Sequence, residues 1–165
     1  MTEQCEEART QLRLAEERLE AAELAHEDAG LTTRLAEGEL SEAGYDYERA
    51  VAGAKGHDDR VVETERQVAE RQRAYDAIAA GSDLNREALL TEAAEKLRAA
   101  EWDHRDAVSS SENAWAQAKE LAAVQEAKQR ALDTARTNLD AAESRMFDAR
   151  SEAKAAAGEV ASACS

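Results

Sequence analysis

The chain has 165 residues, a formal charge of −15, no proline and only 4% aromatic residues. Ala, Glu, Lys, Leu and Arg fill 99 positions, whereas Leu, Ile, Val and Phe together supply 23. This excludes a thick globular core, and the acidity argues against nucleic acid or an anionic membrane as a partner, since both need a basic face.

No run approaches the ~18 apolar residues that span a bilayer. The acidic start, Met1 to Glu7, lacks the basic-then-apolar layout of a secretory leader, so a cytoplasmic location is expected. Cys5 and Cys164 sit near opposite ends without metal-ligand spacing. Two thiols make no disulfide framework, and they read as incidental. Imitation of DNA is disfavoured, because a long hairpin of this charge carries about one net charge per ~8 Å against one per ~1.7 Å in duplex DNA.

A first helix is expected over about 3–79. Every seventh residue from Cys5 marks an a position, including Leu12, Leu19, Leu40, Tyr47, Val61 and Val68. Alanine fills every d position from Ala8 to Ala50, after which His57, Thr64, Arg71 and Ile78 follow. Gly30, Gly38, Gly44, Gly53 and Gly56 fall inside this helix, and each costs about 0.8–1 kcal/mol of helix propensity relative to alanine. The weakest stretch is Gly53 to Asp59, with Ser109, Ser110 and Ser111 at a similar height on the second helix. A kink is expected at both places.

A turn is expected over about 80–83, where Gly81 suits a helix end and Ser82 or Asp83 suits the next N-cap. The second helix then covers about 84–163. Its a positions run from Leu90 through Leu97, His104, Ser111, Ala118, Leu132 and Leu139 to Val160, again with alanine at most d positions. The seam phase continues unshifted through both weak stretches. That favours a single all-α domain, a long antiparallel coiled-coil hairpin with an alanine-rich seam, over a compact four-helix bundle. A reversal near Gly81 pairs residues whose numbers sum to 161: Leu97 with Thr64, Val61 with Ala100, Leu40 with Leu121, and His57 with His104.

Residues 12–29 and 90–107 match at ten of eighteen positions, which suggests an internal duplication. Both copies contain Glu-x-x-His, as Glu23/His26 and Glu101/His104. Dinuclear carboxylate bundles use that spacing, but they also need bridging glutamates on two further helices. His57, His104 and Glu101 form a weak candidate metal site; the plainer reading of the histidine pair is a polar layer that fixes register. No phosphate loop, no nucleophile with an assigned base and no cofactor motif is present, so the chain reads as a non-enzyme with no cofactor.

Leu24, Leu31, Leu35 and Tyr45 on the first helix, with Trp102, Val108, Trp115 and Val124 on the second, fall on or near the side away from the seam. They form a candidate interaction face for a protein partner or a second copy, a homodimer being expected. The expected role is therefore a structural or protein-interaction module: a spacer, scaffold or adaptor. The alternatives are a metal-binding four-helix bundle and a leaderless exported helical hairpin. The second lacks a Trp-x-Gly turn, since the turn region reads Ala80-Gly81-Ser82.

Overall fold

A computed structural model describes residues 3–82 and 84–165. It contains two helices, α1 (Glu3–Ala80) and α2 (Arg86–Ala163), each of 78 residues, packed against each other as a hairpin. Composition explains their length: alanine, leucine, glutamate and arginine lose least on entering a helix, and no proline interrupts. The hydrogen-bonded ladder continues through Gly53–Asp59 and through Ser109–Ser111. The chain therefore does not double back at either place, and the four-helix alternative is excluded.

The turn sits later than expected. The Gly81 amide donates to the Ile78 carbonyl at 3.1 Å, a tightened last turn, and among the described residues no glycine has a positive φ. Glycine here ends the helix without the left-handed cap. The next helix starts at Arg86 rather than 84, and the Asn85 carbonyl accepts its first bond from the Leu89 amide at 3.1 Å. Asn85 thus stands where Ser82 or Asp83 was expected to cap; Asp83 lies outside the described residues. The Arg86 guanidinium donates back to the Ala79 carbonyl and satisfies an orphan acceptor at the end of α1.

The chain divides into two compact units, Met1–Glu42 with Glu126–Ser165 (unit 1) and Ala43–Gln125 (unit 2). Unit 1 buries Cys5, Ala8, Ala15, Thr33, Leu132, Ala135, Ala142, Ala149 and Ala153. Unit 2 buries Ala43, Ala54, Thr64, Ala93, Ala100, Ala107, Ser111 and Ala118. Each of these residues occupies an expected a or d position. Small seam residues let helix axes approach closely, near the lower end of the usual ~8–10 Å range.

The stagger differs from expectation by one heptad. In unit 2 the Thr64 hydroxyl meets His104 rather than Leu97, so seam partners sum to 168. In unit 1 the shift has a covalent consequence: Cys5 and Cys164 form a disulfide with Cα atoms 5.0 Å apart. The two thiols are not incidental. Under the expected stagger Cys5 would have faced Ala156, leaving Cys164 beyond reach.

Candidate functional site

The histidine pair does not assemble. His104, half-buried at a seam position of α2, has its Nδ1 3.1 Å from Thr64 Oγ1. The threonine hydroxyl shares its single proton between the Arg60 and Val61 carbonyls, each at 3.0 Å. With that proton on a carbonyl, the tautomer of His104 that carries its hydrogen on Nδ1 donates to Thr64 Oγ1. This fixes the ring and occupies one of its two nitrogens. His57 lies one heptad away along α1, beside Ala54, Ala114 and Leu121 in a shallow groove of about 430 Å³. Glu101 is exposed and shares a second groove with His104, Val68, Val108 and the cation of Arg105. Among the described residues no three His, Cys, Asp or Glu side chains are close enough together to hold a metal ion. The expected His57–His104 layer fails because of the one-heptad shift.

The layer that replaces it centres on Asp58. Ser111 Oγ donates to Asp58 Oδ1, and the Trp115 indole donates to Oδ2 at 3.0 Å and Oδ1 at 3.2 Å. These two bonds, aided by the neighbouring His57 and opposed by partial burial, hold the Asp58 carboxyl below its ordinary value. A carboxylate on α1 thus clasps two donors one helical turn apart on α2. The stretch singled out as weakest, Gly53 to Asp59 against Ser109 to Ser111, carries this clasp. Sequence spacing gave no sign of it, because the pairing appears only under the correct stagger.

The outward apolar residues behave more nearly as expected. Leu24, Leu31 and Leu35 are exposed on unit 1, and Tyr45, Trp102, Trp115 and Val124 on unit 2. Val108 is half-buried instead. Arg105 stacks over the Trp102 ring, 5.2 Å from its centroid, which shields one face of the indole. Trp115 is 40% exposed and anchored through its nitrogen to Asp58, so it is partly structural. Leu14, Val62, Leu84, Leu89 and Phe147 are also exposed and were missed. Phe147 was the most legible, being the only phenylalanine and one residue off the seam.

The surface around these residues is strongly structured in unit 1. Glu23 pairs with Arg150 at 3.1 Å, Glu37 with Arg136 at 3.0 Å, Glu39 with Lys128 at 2.9 Å, and Glu152 with Arg18 at 3.5 Å. Three of the four place the acid on α1 and the base on α2. No described helix is long and apolar enough to cross a membrane. Comparison with protein-family models, curated proteins and solved structures gave no match.

Proposed function

We propose that the chain is a non-catalytic protein-interaction module, acting as a scaffold or adaptor through side chains on the outside of its two helices. The observation that carries this reading is an inversion of the usual distribution. Among the described residues twelve of the seventeen buried side chains are alanine, while Leu24, Leu31, Leu35, Tyr45 and Trp102 are exposed. Large apolar side chains contribute most when buried, and a partner surface is what would bury them here. Sedimentation of the purified chain, alone and with candidate partners, tests the reading. Self-association or complex formation that weakens on substitution of these residues supports it; a monomer that engages nothing contradicts it.

The disulfide favours a second reading of location. Cytosolic thiols are ordinarily kept reduced, and a stable cross-link between Cys5 and Cys164 suits an oxidising compartment. The exported hairpin therefore gains on the cytoplasmic expectation, with the interaction role unchanged. Trapping thiols by alkylation at the moment of cell lysis tests it: an unmodified pair supports the oxidising location, and two modified thiols support the cytoplasm.

A further inference from the structure

We infer that the outward face of α1 in unit 1 docks a lysine- or arginine-rich amphipathic helix of a partner protein; this rests on the interaction reading above and specifies the partner's chemistry. Leu24, Leu31 and Leu35 are 61%, 48% and 71% exposed. Their spacing of i, i+7 and i+11 places them within about 40° of one another around a helix turning ~100° per residue. They form a ridge on the side away from the seam, of the kind that packs into the groove of a second helix.

Charge selects the occupant. The positions three and four residues after Leu24, where an apolar stripe would continue, are Glu27 and Asp28. Glu20 and Glu42 extend the same acidic frame beyond the two ends of the ridge. None of these four carboxylates has an ion-pair partner among the described residues. By contrast Glu23, Glu37 and Glu39, on the flanks of the seam, are each paired with a base on α2. Of the nearby cations, Arg13 is paired with Glu17 at 2.9 Å and Arg34 reaches back to the Gly30 carbonyl. An uncharged apolar helix laid on the ridge would leave Glu27 and Asp28 desolvated and unpaired. A second copy of the same ridge would set carboxylates against carboxylates. A helix with leucine-like side chains on one stripe and ammonium or guanidinium groups beside it satisfies both requirements.

The test titrates the oxidised full-length chain into a fluorescently labelled synthetic helix of leucine and lysine, with a leucine and glutamate helix as counterpart. The lysine helix should bind saturably with one-to-one stoichiometry, and the glutamate helix should not. Leu31→Ser/Leu35→Ser should weaken binding by at least about tenfold, the equivalent of ~1.4 kcal/mol. Glu27→Gln/Asp28→Asn should weaken it severalfold and flatten its salt dependence. Val62→Ser, an exposed position on unit 2, should leave it unchanged. All these positions are exposed, and circular dichroism verifies that each variant retains its helices. Equal affinity in wild type and the leucine variant would reduce the attraction to bulk charge and overturn the inference. A dimer that dissociates in the leucine variant, without peptide binding, would assign the ridge to a second copy and also overturn it. Partner binding lost in Trp102→Ala but kept in the ridge variants would sink this inference while leaving the interaction reading standing. Absence of any association would sink both.

Discussion

The two units share one seam pattern but are joined across the helices by different chemistry. Unit 1 is tied by the Cys5–Cys164 disulfide and by four ion pairs between α1 and α2. In unit 2, away from the Arg86–Ala79 bond at the turn, the cross-helix bonds among the described residues run through the Asp58 clasp and the Thr64–His104 pair. The difference follows from local composition. Residues 3–42 carry twelve acids and four bases and residues 126–165 carry seven acids and six bases; both segments are net acidic, and Glu23, Glu37 and Glu39 of the more acidic one meet Arg150, Arg136 and Lys128 of the other. In unit 2 a histidine, a serine and a tryptophan on one helix meet a threonine and an aspartate on the other. An alanine seam supplies little apolar burial in either place, so each unit relies on a supplement. Unit 1 uses a covalent bond and charge; unit 2 uses short polar contacts that also specify register.

The largest way to break this contrast is reduction. Closing a loop of 159 residues restricts the unfolded chain by about 5 kcal/mol on the chain-entropy account. Cys5→Ser/Cys164→Ser, or thiol reductant, should therefore lower Tm by roughly 10–20 °C. Hydrogen exchange should accelerate in residues 3–42 and 126–165 before it does in residues 43–125. A uniform loss of protection would erase the distinction between the units.

Next in size is overpacking of unit 2. Ala54 is 0% and Ala107 1% exposed, so Ala54→Leu or Ala107→Leu forces the helices apart and should cost about 1–3 kcal/mol by denaturant titration. An unchanged midpoint would mean that the seam is looser than described.

Acid sharpens the comparison further. The Asp58 carboxyl is depressed in the folded state, so its stabilisation is complete above its unfolded value, near 3.9. It fades as pH falls through the lower folded value. Asp58→Asn should therefore be less stable than the parent at neutral pH, with the gap closing below about pH 4. The emission of Trp115 should change in the same variant. A gap that persists at low pH would mean that Asp58 acts through packing alone.

The smallest effect belongs to the ion pairs. Arg136→Ala and Arg150→Ala remove exposed contacts worth about 0.2–1 kcal/mol each, and the loss should shrink at high salt.

Much of the fold was legible because burial in a two-helix seam follows a strict seven-residue period. Ala8, Ala54, Ala107, Leu132 and the other buried residues fall where that period places them. The stagger was not legible, for the same physical reason: sliding one helix by seven residues leaves every a and d position on the seam. Only non-repeating features fix it. Gly81 drew the reversal too early, whereas Asn85 and Arg86 complete the turn. The informative pair was Cys5 and Cys164, one near each end, whose joining centres the hairpin between residues 84 and 85. With the stagger misplaced, the polar constellation was misread too. His57 and His104 were joined, while Asp58 with Ser111 and Trp115 went unseen. The outward leucines were legible because exposure depends on helical phase and not on stagger.

Engineered cross-links probe that stagger most directly. In a Cys5→Ser/Cys164→Ser background, the pair Thr64→Cys/His104→Cys occupies one observed layer, and Thr64→Cys/Leu97→Cys occupies the layer one heptad away. Under mild oxidation the first pair should close rapidly within a single chain and the second should stay reduced. Closure of the second pair in preference to the first would contradict the register on which the Asp58 clasp depends.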